Sequence, residues 1–189
     1  MKKFKYFFGT DERSIGFLNT LFIEDSNIKV VTLPPNKVGR GRKLTSNPVQ
    51  TYCVQNNINF SYYDENFIYD DMEYGIVASF SKIFTSKFLI NNPSLFNIHL
   101  SLLPKYRGPT PVESAILNLD KITGYTIFRI NEDVDAGKVI FQKSLNIENK
   151  YATNVYYEIY QSFLKDFKSI DFYHEGQLQE KSSSNTRKF

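Results

Sequence analysis

A single cysteine, Cys53, stands in 189 residues, so no disulfide can close within the chain and no cysteine-rich zinc site can form. That usage predicts a reducing compartment, the cytoplasm, with an organelle as the alternative. Histidine is almost as scarce, with only His99 and His174, and neither they nor any pair of carboxylates has the spacing of metal ligands. No metal is expected. Tryptophan is missing altogether while Lys, Asn, Ile, Phe and Tyr abound, a bias that reads as genomic nucleotide composition rather than chemistry. No apolar run approaches the ~20 residues of a bilayer span, and no membrane partner is expected. The opening Met1-Lys2-Lys3-Phe4-Lys5-Tyr6-Phe7-Phe8 gives way at once to Gly9-Thr10-Asp11-Glu12-Arg13. Its apolar stretch is too short for a signal peptide and reads as a first strand.

What remains is an ordinary globular composition, 41% hydrophobic and 23% charged. The length suits one domain, expected over 1–175, followed by a short polar tail over 176–189. A net charge of +3 is weak evidence for a nucleic-acid partner. Patterning predicts a strand over Lys3–Phe8, a helix over Asp11–Glu24 with Ile15, Leu18, Leu21 and Phe22 at helical spacing, and a buried strand over Ile28–Leu33. A strand, a helix and another strand argue for an α/β fold with a mostly parallel central sheet flanked by helices.

The stretch Pro34–Pro48, broken by Pro34, Pro35, Gly39 and Gly41, is expected to be one long loop. Val49–Asn56 should be helical, Phe60–Tyr63, Tyr74–Ala78 and Phe96–Leu100 strands, and Pro111–Asn118 a helix opened by its proline. Thr123–Ile130 and Lys138–Leu145 read as strands. Val155, Ile159, Phe163 and Phe167 recur every four positions and predict an amphipathic helix from Ala152 to about Tyr173.

The chemistry gathers in Asn97-Ile98-His99-Leu100-Ser101-Leu102-Leu103-Pro104-Lys105-Tyr106-Arg107-Gly108. Strand alternation puts Asn97 and His99 on one face, near the carboxyl end of a strand, where open α/β sheets bind their ligands. Farther on, Asp133-Val134-Asp135-Ala136-Gly137 supplies a carboxylate on a tight turn. An amide, an imidazole and a carboxylate, without a serine or cysteine nucleophile, suit direct acyl transfer to an amine. Asn97 can donate to an oxyanion. His99 can do the same when protonated, or shuttle a proton. Asp135 can orient the imidazole or relay the amine's proton. Each residue also has a plain structural use, since strand-end Asn and His satisfy backbone groups and Asp before Ala-Gly forms turns.

The run Asn97–Gly108, with Pro111 and then Asp135-Ala136-Gly137, resembles the signature of the folate-dependent formyltransferase family, which includes methionyl-tRNA and glycinamide ribonucleotide formyltransferases. Gly9-Thr10, the stretch Gly39-Arg40-Gly41-Arg42-Lys43-Leu44 leading to Ser46-Asn47-Pro48-Val49, and Val77-Ala78-Ser79-Phe80-Ser81-Lys82-Ile83 carry the likeness in the same order, up to about Glu148. The resemblance implies a Rossmann-like formyltransferase fold with Asn97, His99 and Asp135 as catalytic residues. It also implies 10-formyltetrahydrofolate as co-substrate, with the pterin held by Phe80, Ser81, Lys82 and Ile83 and by Asp133 and Val134. The substrate side falls to Arg40, Arg42 and Lys43 and to Ser101, Leu102, Leu103 and Pro104.

Lys37, Arg40, Arg42 and Lys43 lie together with no acidic neighbour and two intervening glycines, as a loop approaching phosphates would. The loop resembles the one methionyl-tRNA formyltransferases insert near the acceptor end of tRNA, so initiator methionyl-tRNA is the expected amine. The β-barrel domain usual after that catalytic domain is expected to be absent. A sugar-nucleotide N-formyltransferase is the competing expectation, and the basic, serine-rich Lys181–Lys188 is distantly like the ending of some. A protein that binds folate or tRNA without catalysis is the third, disfavoured because all three catalytic positions are filled.

Overall fold

The computed structural model describes residues 2–38 and 42–181. Arg40, and the basic tail beyond Lys181, fall outside the described residues. The chain divides into two compact units, Met1–Leu95 and Phe96–Phe189.

The first unit is the parallel α/β part. Strands β1 (Phe4–Phe8), β2 (Lys29–Thr32), β5 (Phe60–Tyr62) and β6 (Met72–Val77) lie in the order β5-β2-β1-β6, and every pairing among them is parallel. This is the largely parallel sheet expected from the alternation of strand and helix. Helix α1 (Glu12–Glu24) starts because Asp11 accepts the Arg13 N–H at its N-terminus, an arrangement worth about 1 kcal/mol. It buries Phe17, Leu18 and Leu21. Helix α2 (Pro48–Gln55) is capped by Asn47, which accepts the Gln50 N–H, and has Pro48 in its first turn. A short helix, α3 (Ser86–Asn91), capped by Thr85, escapes the sequence reading because six residues with one buried side chain, Phe88, show no periodicity. Around the sheet lies an aromatic cluster of Tyr6, Phe8, Tyr63, Tyr69, Phe84 and Phe88.

The segment read as one long loop is different. It contains strands β3 (Asn36–Val38) and β4 (Lys43–Thr45), paired antiparallel with Lys37 opposite Leu44. Strands of three residues are too short to show a period, and β4, exposed throughout, lacks the buried alternation by which a strand is recognised.

From Phe96 the second unit continues β7 (Leu95–His99), which pairs antiparallel with β8 (Ile122–Arg129), itself antiparallel to β9 (Val139–Asn146). Helix α4 (Pro111–Leu117) is tied to α5 (Ala152–Asp166) where the Tyr156 hydroxyl donates to Glu113 at 2.7 Å. Val155, Ile159 and Phe163 form the buried stripe of α5. The helix ends at Asp166, short of the expected Tyr173, and a 3-10 turn, Phe167–Ser169, follows. Phe172 explains the break: it packs on Phe96 at 5.2 Å between ring centroids and is buried, whereas in a continuing helix it would leave the stripe. Asp166 meanwhile accepts the buried Tyr125 hydroxyl at 2.9 Å. Among the described residues, no helix is long and apolar enough to cross a membrane.

Candidate active site

His99 sits at the last position of β7, opposite Thr126, with Asn97 two residues earlier opposite Phe128. Strand alternation therefore gives the two side chains one face, as expected. His99 is buried and Asn97 half-buried. No side-chain hydrogen bond to Asn97 is present among the described residues.

The imidazole is fixed from one side. Nε2 lies 2.7 Å from the main-chain carbonyl of Tyr106. A carbonyl only accepts, so this bond requires a proton on Nε2 and leaves Nδ1 as the nitrogen open to protonation chemistry. Nδ1 is 3.6 Å from Asp135 Oδ2, and the two side chains are only 6% and 14% exposed. That separation is an ion pair whenever the ring is protonated and too long for a hydrogen bond.

Local backbone geometry sets up both partners. Tyr106 adopts a left-handed φ of 55°, within the segment whose carbonyl meets His99. Its ring is buried and its hydroxyl donates to Asp120 at 2.9 Å while accepting from Asn118 at 3.1 Å. Burial, then the bond to Asp120, raises the Tyr106 phenol above its usual pKa. Asp135 is also left-handed, φ 52°, a conformation that Asp tolerates better than most residues. Its Oδ2 accepts the Gly108 N–H at 2.8 Å. Gly137 completes the turn because a Cβ there would lie 1.7 Å from the Arg129 carbonyl oxygen; only glycine lets the main chain pass so close.

The intervening segment 101–104 is held rather than open. The Ser101 hydroxyl donates to the Lys105 carbonyl, and the buried Thr126 hydroxyl accepts the Leu103 N–H at 3.0 Å while donating to the Ser101 carbonyl at 2.6 Å. Gln142 donates to the Leu103 carbonyl at 3.0 Å. Ser101 and Leu103 are buried, Leu102 and Pro104 half-buried.

In the first unit, Phe80, Ser81, Lys82 and Ile83 follow β6. Phe80 is half-buried and stacks on Phe84 at 5.4 Å. Ser81, Lys82 and Ile83 are exposed, Ile83 by 72%. The segment is tied down by Thr10, whose hydroxyl donates to the Ser79 carbonyl and accepts the Ser81 N–H, both at 2.9 Å. Lys82 lies over the Tyr63 ring at 5.1 Å. Arg42 and Lys43 are exposed on the β3–β4 hairpin. In the second unit, Asp133 and Val134 are exposed just before Asp135. The fold brings His99 and Asp135 together, with the Tyr106 carbonyl fixing the imidazole, whereas Thr126 and Gln142, which hold the segment 101–104, carry no motif of their own.

The Formyl transferase family matches residues 17–166. Methionyl-tRNA formyltransferase of Buchnera aphidicola is 33% identical over 164 residues, 81% of this chain and 52% of that protein. Its counterpart in Prochlorococcus marinus is 38% identical over 154 residues, 76% of this chain and 47% of that protein. The chain thus spans about half the length of these curated relatives. In three dimensions, an N-formyltransferase from Helicobacter canadensis, solved with folinic acid and dTDP-3-aminofucose, superposes with a TM-score of 0.73 at 23% identity, covering 98% of this chain and 71% of that one. Glycinamide ribonucleotide transformylase 1 from Symbiobacterium toebii gives a TM-score of 0.66 at 13% identity, covering 89% and 85%. Fold, motif and extended sequence identity agree, and the chain belongs to the formyl transferase family.

Proposed function

We propose that this chain transfers a formyl group from 10-formyltetrahydrofolate to the amino group of initiator methionyl-tRNA. One observation carries the reaction: His99, with Nε2 committed to the Tyr106 carbonyl, presents Nδ1 to Asp135 at 3.6 Å. In direct transfer the amine nitrogen bonds to the formyl carbon, the carbonyl oxygen gains negative charge, and the bond from that carbon to the folate nitrogen then breaks. Asn97 donates to the oxyanion. His99, protonated on Nδ1 beside Asp135, places a positive charge near it. The proton lost by the amine passes to the Asp135 carboxylate and is returned to the departing folate nitrogen, so no net proton is consumed. Segment 80–83, and Asp133 and Val134, are the residues proposed to meet the pterin.

The acceptor is read from the hairpin. Arg42 and Lys43 are exposed on the β3–β4 hairpin, positive charges suited to phosphates, and the relatives at 33% and 38% identity are methionyl-tRNA formyltransferases. The test offers the purified protein 10-formyltetrahydrofolate with either methionyl-tRNA or a set of amino-sugar nucleotides. Formyl-methionyl-tRNA formed by the wild type and lost in His99→Ala supports the reading. Formylation of the sugars alone overturns the acceptor, and no transfer to either overturns the reaction.

A further inference from the structure

The turn bearing Asp135 is exposed at Asp133 and Val134, and its own internal bond, Ala136 N–H to the Asp133 carbonyl, is long at 3.4 Å. A distant residue supplies what the turn lacks. Gln179 Nε2 donates to the Asp135 carbonyl at 3.1 Å and to the Gly137 carbonyl at 2.8 Å, on either side of Ala136. The same side chain accepts through Oε1 from Arg107 Nη2 at 2.7 Å. Arg107 directly precedes Gly108, whose N–H holds the Asp135 carboxylate. A ring of bonds therefore runs from the turn's main chain through the Gln179 amide and the Arg107 guanidinium to the Asp135 side chain.

Gln179 is itself anchored. Two residues before it, Gln177 exchanges both main-chain hydrogen bonds with Val139 at 2.8 Å, and Gly176 adopts a φ of +79° at the bend that leads there. The stretch from Gly176, read from sequence as the start of a tail, is thus bonded to β9. The chemistry of the side chain is matched to the place: two N–H donors serve two carbonyls and one oxygen serves a cation. Glutamate would satisfy only Arg107, and leucine neither side.

We propose that Gln179 is a positioning residue for formyl transfer, holding the Asp135 carboxylate at its distance from His99 by clamping the turn and Arg107 together. The proposal rests on the reading of His99 and Asp135 as the proton-handling pair. It is tested in the full chain with Gln179→Leu and Gln179→Glu, read by amide hydrogen exchange and by transfer kinetics across pH. In Gln179→Leu, exchange at Gly108 and Ala136 accelerates at least tenfold while the strands exchange as in wild type. Its kcat falls on the order of 10- to 100-fold with KM unchanged, the scale of a misplaced catalytic group. Gln179→Glu turns a carboxylate toward two carbonyls at neutral pH and regains one O–H donor when protonated. Its kcat relative to wild type therefore rises as pH falls, whereas the Gln179→Leu ratio stays flat. Unchanged exchange at Gly108 and Ala136, an unchanged kcat, or a flat Gln179→Glu ratio overturns the proposal. Absence of transfer by the wild type would count against the proposed function alone, because the exchange rates need no substrate and decide the clamp by themselves.

Discussion

Replacing Asp135 by asparagine removes a charge from the site while sparing the fold. The new side chain keeps an oxygen to accept the Gly108 N–H, bonded at 2.8 Å in the native protein, and asparagine tolerates the left-handed φ of 52° that position 135 requires. The melting temperature should therefore be that of wild type. Chemistry should not survive so well. With Nδ1 and Oδ2 3.6 Å apart, the carboxylate is placed to serve the proton transfer. Its loss predicts a fall in kcat of about 10²- to 10⁴-fold, the contribution of a positioned proton-transfer group, or about 3 to 5 kcal/mol of barrier. Single-turnover transfer from saturating 10-formyltetrahydrofolate isolates the chemical step. An Asp135→Asn rate within threefold of wild type, at unchanged melting temperature, would refute the reasoning.

Three further outcomes are expected. Gly137→Ala forces a methyl to within 1.7 Å of the Arg129 carbonyl, so the turn must move; destabilisation of about 3 kcal/mol, seen as a melting temperature lower by roughly 10 °C, should accompany lost activity. Arg42→Ala and Lys43→Ala should each weaken methionyl-tRNA binding and reduce the slope of log affinity against log salt by about 1, with KM for the folate unchanged. Asp71 has its pKa lowered, first by the Lys29 hydrogen bond and then by the Tyr6 hydroxyl, so its stabilisation is present at neutral pH and is lost as pH falls through the carboxylate range. Asp71→Asn should melt below wild type at neutral pH, and the gap should close in acid.

The legible parts of this site are those that depend on side-chain type and strand period. Asn97 and His99 share a face because two residues of strand separate them, and Asp135 announces itself in a turn ending in glycine. What the sequence could not disclose depends on main chain and on distance. The Tyr106 carbonyl reaches His99 through a segment with a left-handed residue, and no pattern distinguishes a tyrosine that lends its carbonyl from one that only packs. Gln179 lies in a polar stretch that reads as a tail, yet it bonds the Asp135 turn directly. The β3–β4 hairpin stayed hidden for a related reason: strands of three residues, β4 exposed throughout, leave no alternation to read.

The most direct test reads the ring nitrogens of His99 by 15N NMR. The neutral ring should carry its hydrogen on Nε2, bonded to the Tyr106 carbonyl. A neutral ring protonated on Nδ1 would contradict the account.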